Sequence, residues 1–180
     1  VFKTSDGIGS WNYPGEFRIG VGNVPMFAGF MYSAVGSYIA RTWRLFDFRF
    51  EKYPPLWSTW VLMLLIYANF FSCHYIFDIR YYLVLLTLVL YGRTTVHFKV
   101  DKVHRYMPSG LSGVLAATFI WFAENISTYA GIWLYPNQRL EWEMVSPMKL
   151  VAWYLLIFVS GVIVSAVHPP QELESTDGAK

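Results

Sequence analysis

Apolar residues gather into five runs along the chain, separated by polar stretches rich in aromatics. The runs cover residues 24–41, 56–73, 81–98, 111–129 and 147–168. Each is about 17–22 residues long, the length a helix needs to cross ~30 Å of hydrocarbon. They predict five transmembrane helices: an all-α, polytopic membrane helix bundle. Residues 1–170 would form a single transmembrane domain and residues 171–180 a polar, disordered tail. In the first run Gly29, Ser33 and Ser37 recur every four residues, with Gly36 and Ala40 on an adjoining line. Such lines let helix backbones approach closely in lipid. Residues 1–23, rich in glycine, predict a loop on the membrane surface. The segment Arg41 to Lys52 interleaves basic and aromatic side chains, a pattern suited to the headgroup region.

One turn occurs twice between the runs. Gly9-x-Trp11-x-Tyr13-Pro14 returns as Gly131-x-Trp133-x-Tyr135-Pro136, and Pro25-Met26 returns as Pro147-Met148. All six positions, and Tyr32 with Tyr154, are 122 residues apart. Four predicted helices separate the turns, an even number, so the pattern predicts a parallel internal repeat. The helices that follow the turns should then superpose by rotation about an axis near the membrane normal, bringing Trp11 onto Trp133.

Composition agrees with a lipid environment. Hydrophobic residues make up 55% of the chain and charged ones 14%, against ~25% charged in soluble domains. A net charge of +2 provides no basic face for nucleic acid. The single cysteine, Cys73, has no partner for an internal disulfide. Counting Lys and Arg in alternate loops places nine on the side of loops 42–55 and 99–110 and the C-terminus, and five on the other. The positive-inside rule makes the first side cytoplasmic, in a multi-pass protein of the inner cell membrane.

Few residues offer chemistry. Glu124 and Asn125 lie inside an apolar run, with Glu124 ~20 Å along it from Leu111 at 1.5 Å per residue. An acid at such depth is costly unless paired, protonated or facing water, which makes it the first candidate. It should face the bundle interior, near Asn125 or groups from the same side: His74, Asp78, Arg80 or Glu16. His74 and Asp78, four residues apart, could relay a proton or ligate a metal, but two ligands do not define a metal site. The catalytic candidates are thus Glu124, Asn125, His74 and Asp78, with Trp11, Tyr13, Arg80, Trp133 and Tyr135 as substrate contacts. No phosphate loop, zinc motif or nucleophile elbow is present, and no cofactor is readable. One expectation is an enzyme acting on an apolar lipid or isoprenoid, with Glu124 as general acid or base. The other is a small carrier working as a homo-oligomer, or an assembly partner in the bilayer without catalysis.

Several stretches resemble the YoaT-like family of bacterial membrane proteins, named for domain of unknown function 817. They are Val1-Phe-Lys-Thr4, Gly9-Ser-Trp-Asn-Tyr-Pro14, Phe30-Met-Tyr-Ser-Ala-Val-Gly-Ser-Tyr38 and Trp43-Arg-Leu-Phe-Asp47. Trp121-Phe-Ala-Glu-Asn-Ile126 and Trp133-Leu-Tyr-Pro-Asn-Gln138 continue the match, which covers nearly all of the chain. The resemblance implies a membrane topology, no assigned activity, and a member lacking the family's N-terminal part. A fainter resemblance is to the small membrane lycopene cyclases, whose repeats open a helix with Pro-x-Glu-Glu. The matching positions here, Pro25-Met-Phe-Ala28 and Pro147-Met-Lys-Leu150, carry no acids.

Overall fold

The computed structural model describes Thr4, residues 9–101 and residues 103–172. Among these residues the chain forms five α-helices and six short strands. In order they are β1 (Gly20–Val21), β2 (Val24–Pro25), α1 (Met26–Leu45), β3 (Arg49–Glu51), α2 (Leu56–Ser72) and α3 (Arg80–Tyr91). Then follow β4 (Thr95–Val100), β5 (Val103–Pro108), α4 (Ser109–Tyr129), α5 (Lys149–Val167) and β6 (Gln171–Glu172). A 3-10 turn at Pro136–Gln138 lies between the last two helices.

This mixed α/β architecture overturns the all-α bundle of five membrane-crossing helices. The run at 81–98 was expected to be one helix, but α3 ends at Tyr91 after 12 residues. Gly92 and Arg93 turn the chain, and from Thr95 the side chains alternate between polar and apolar, the period of a strand. At 1.5 Å per residue α3 is ~18 Å long, well short of a bilayer. The segment expected to be a loop, 99–109, instead contributes to a hairpin. Val100 pairs with Val103 around a two-residue turn, with Asp101 in the left-handed region at φ +60°. Antiparallel β3–β4 pairing and parallel β3–β6 pairing complete a sheet of order β5-β4-β3-β6. Gln171 and Glu172 therefore belong to the sheet, while the tail beyond them lies outside the described residues. Among the described residues only α5 is both long and apolar enough to cross a membrane, and it is also the core helix. The integral, multi-span character read from the five runs is corrected accordingly.

Helix α5 buries Tyr154, Leu155, Phe158, Val159 and Val162 against the other helices. From α2 come Leu62 and Ile66, from α3 Leu83 and Tyr91, and from α4 Ala117. Each surrounding helix turns one narrow stripe inward. In α2 it is Thr59, Leu62, Ile66 and Asn69, a helical period. A file of rings runs from the sheet into this core: Trp43 to Phe50 at 4.9 Å, Phe50 to Tyr53 at 5.2 Å, Tyr53 to Tyr91 at 5.8 Å and Tyr91 to Phe158 at 4.7 Å. The sheet thus caps one end of the helices, and the two Gly-x-Trp-x-Tyr-Pro turns lie at the other. The helices after the turns do not share one environment, as a parallel repeat would require. α5 is central, whereas most of α1 is exposed.

Candidate functional site

The buried face of α4 carries Ser109, Gly113, Ala117, Glu124 and Thr128. Small residues at its first half let α5 come close. A Cβ on Gly113 would lie 2.8 Å from Phe158 Cε2 and 2.9 Å from Tyr154 Cε2. At the other end the same face presents Glu124, only 3% exposed. The Tyr135 hydroxyl donates to its Oε1, and the Trp153 indole N–H donates to Oε2 at 2.8 Å. Each carboxyl oxygen is thereby held by a donor from a different element, the turn before the 3-10 helix and α5. The Lys149 ammonium lies 4.1 Å from the centre of the Tyr135 ring, a cation–π contact.

Asn125 and Trp121 of α4 together hold both backbone groups of Val145 in the connection between α4 and α5. Asn125 Oδ1 accepts from Val145 N–H at 2.9 Å, while Trp121 Nε1 donates to Val145 C=O at 3.0 Å. The Asn125 amide also donates to Trp121 C=O at 2.8 Å. Buried Gln138 accepts from Tyr135 N–H at 3.1 Å and donates to Glu143 C=O, and Trp142 Nε1 donates to Thr128 Oγ1 at 3.2 Å. These bonds pin an otherwise exposed connection at its two buried points, Gln138 and Val145.

The two turns meet. Asn12 N–H donates to Leu134 C=O and Leu134 N–H to Asn12 C=O, both at 2.9 Å. Asn12 and Leu134 occupy the same position in the two copies, and Gly9 (φ +54°) and Gly131 (φ +68°) share the left-handed conformation that glycine adopts freely. The correspondence continues into ring contacts. Tyr13 packs edge-on to Phe27 at 5.9 Å, and Phe27 stands 122 residues before Lys149, the residue over Tyr135. Between the turns opens a cleft of about 280 Å³, lined by Tyr13, Glu16, Phe17, Phe27 and the chain from Ala130 to Ile132. A second cleft, about 260 Å³, lies at the sheet end among Trp43, Arg44, Asp47 and His168.

The other sequence candidates lie near the turns but serve different partners. Asp78 is ion-paired to Arg80, accepts from Arg80 N–H at 3.0 Å and accepts from the Asn69 amide at 3.1 Å. Burial pushes its carboxyl up, but the Arg80 and Asn69 hydrogen bonds and the Arg80 charge outweigh this and hold it below the ordinary carboxylate range. Arg80, raised mainly by its bond to Asp78, thus pairs with Asp78 and not with Glu124. His74 Nε2 lies 3.2 Å from Ser10 Oγ of the first turn. Trp11 and Trp133 are half-buried. The structure therefore brings Tyr135 to Glu124 and joins the two turns, but gives Asp78 and Arg80 to each other. Among the described residues no three His, Cys, Asp or Glu side chains converge as metal ligands. Sequence reasoning missed Trp153. Its signal was an indole N–H in the first turns of an otherwise aliphatic helix, a donor that must find an acceptor when buried.

The fold and site thus define a small mixed α/β protein, helices around one core helix, with a buried acid tying a paired-turn end together. The chain belongs to the family described as "Protein of unknown function (DUF817)", whose model matches residues 1–161. It is 38% identical over 169 residues to the uncharacterized protein YoaT of Bacillus subtilis (strain 168). That match covers 94% of this chain and 64% of the relative, so the chain spans less than two thirds of the relative's length. No solved structure matches it.

Proposed function

We propose that this protein is a lipid-seated binding protein of the inner cell membrane, holding part of an apolar lipid or isoprenoid at the junction of its two turns. The observation that carries the reading is the outward surface of the helices. Trp57, Leu64, Leu85, Val89, Phe119 and Ile126 are each at least 60% exposed. Soluble monomers rarely present contiguous apolar patches beyond a few hundred Å². Side chains of this size on three helices already reach that scale, and contact with acyl chains removes them from water. Such contact does not require α2 or α3 to cross the bilayer. The sheet collects Arg49, Lys99 and Arg105 at one end, which supports a cytoplasmic orientation for that end.

Glu124 is a positioning residue in this reading. Its oxygens hold one donor from the second turn and one from α5, and neither of the two clefts described is lined by it. A second reading, acid–base chemistry on an apolar lipid, is favoured by one observation: a phenol hydroxyl seated on a buried carboxyl is a pair able to pass a proton. The positions without acids after Pro25 and Pro147 remove support for a cyclase.

Flotation tests the proposal. The full chain, mixed with vesicles of phosphatidylethanolamine and phosphatidylglycerol, should rise with them and keep bound lipid through purification. A chain that is monodisperse without detergent and stays at the bottom of the gradient overturns the reading. The acid–base reading requires in addition that Glu124→Gln, folded and floating, alter the lipid profile of cells carrying it.

A further inference from the structure

The cleft between the turns has a defined chemical character. Three aromatic rings, Tyr13, Phe17 and Phe27, line it, and among the described residues Glu16 is its one charged group. No described Lys or Arg contributes to the lining. The C-terminal end of α4 reaches it through Ala130 and Gly131, and the C-terminus of a helix carries partial negative charge. Ring faces, a carboxylate and a helix C-terminus all favour a cation, and the aromatic share favours one that is weakly hydrated.

The second copy of the turn shows what such a position holds. There the tyrosine, Tyr135, carries an ammonium, Lys149 Nζ, 4.1 Å from its ring centre. In the first copy the residue at the matching position is Phe27, which supplies a ring edge and no charge. Among the described residues no cation of the chain stands at that position, where the cleft is open. We propose that the cleft beside Tyr13 binds an organic ammonium group, supplied by a lipid headgroup or by a free amine. The assignment rests on reading the junction as a binding site and specifies what enters it. Tyr13 and Phe27 present the rings, Phe17 closes one side, and Glu16 and the end of α4 supply the negative potential.

Choline chloride is the probe, titrated calorimetrically into the full chain held in a non-ionic detergent. It should bind at least roughly five-fold more tightly than its neutral isostere, in which carbon replaces the nitrogen, as a cation–π contact of about 1 kcal/mol implies. Glu16→Gln should weaken choline by a similar factor, and so should Tyr13→Leu. Phe27→Lys, which reproduces the second copy, should abolish binding. Glu16 is exposed, so its variant folds even where a ring substitution does not. Equal binding of choline and the isostere, or wild-type affinity in a folded Glu16→Gln protein, overturns the proposal. Competition by phosphatidylcholine vesicles but not by phosphatidylglycerol vesicles identifies a headgroup as the source, and choline binding without that competition identifies a free amine. Flotation of all these variants should match the wild type, so failure of the ammonium site and failure of lipid seating read out separately.

Discussion

Glu124 should tolerate glutamine and not alanine, and the difference can be worked from its two bonds. Alanine leaves the Tyr135 hydroxyl and the Trp153 indole N–H without their acceptor. A buried donor left unpaired costs about 1–3 kcal/mol, so two of them cost ~2–6 kcal/mol. Glutamine keeps a carbonyl oxygen, which must serve Trp153, because an indole nitrogen can only donate. Its NH2 then faces Tyr135, whose hydroxyl can rotate to accept. Both contacts survive, and the cost should be no more than about 1 kcal/mol, the net worth of one ordinary hydrogen bond. Chemical unfolding in detergent, followed by far-UV circular dichroism, measures both variants against the wild type. Equal stability of Glu124→Ala and Glu124→Gln, within ~0.5 kcal/mol, would refute the idea that the carboxyl works by holding these donors.

Two further outcomes follow from packing and charge. Gly113→Ala should lower stability by ~1–2 kcal/mol, since its methyl would meet two buried rings below 3.0 Å, an overpacking penalty larger than the ~1 kcal/mol gained in helix propensity; Gly29→Ala, with nothing within 4 Å, should instead be neutral or stabilising in the same thermal unfolding assay. Asp78 has a folded pKa below the ordinary aspartate value of 3.8, so its contribution is present above that pH and is lost as the pH falls through the folded value. Melting curves between about pH 5 and pH 2.5 should therefore fall less steeply for Asp78→Asn than for the wild type.

Much of the helical content was legible because apolar runs and helix punctuation coincide. Pro55 and Pro108 stand at the N-caps of α2 and α4, where their fixed φ suits the entry and no N–H is lost. The sheet was not legible for a physical reason. Residues 81–100 are apolar throughout enough of their length to satisfy a membrane-helix count, and only the β-branched Thr94, Thr95 and Val96 with the alternation after them mark the change of period. The sequence at the hairpin turn beside Asp101 also lacks the glycine that usually announces a two-residue hairpin. At the site, the burial of Glu124 was readable from its neighbours, but its partners were not. The expectation placed Asp78 and Arg80 within its reach, and local geometry gave them a shorter route to each other, two residues apart at the start of α3. Trp153, by contrast, reaches Glu124 only because Gly113 and Ala117 bring α4 and α5 together, a packing fact that no local pattern encodes.

The paired turns explain why one end of the molecule is stitched shut and partly open at once. Both copies carry a left-handed glycine and set a tyrosine against the residue directly after a Pro-Met pair, 27 in the first and 149 in the second. In the second copy that tyrosine has Lys149 on its face and Glu124 on its hydroxyl, so both its ring and its polar tip are occupied from within the chain. The Asn12–Leu134 bonds then fix the first turn against this completed unit. With Phe27 in place of a lysine, the first tyrosine keeps its ring contact but receives no charge, and the space beside it stays open. The same local motif therefore yields a structural lock where the chain supplies the charges, and a cleft with unmatched negative potential where it does not. The lock positions the cleft's floor at Ala130 to Ile132, so loss of Glu124 should be felt at the cleft without touching any group that lines it.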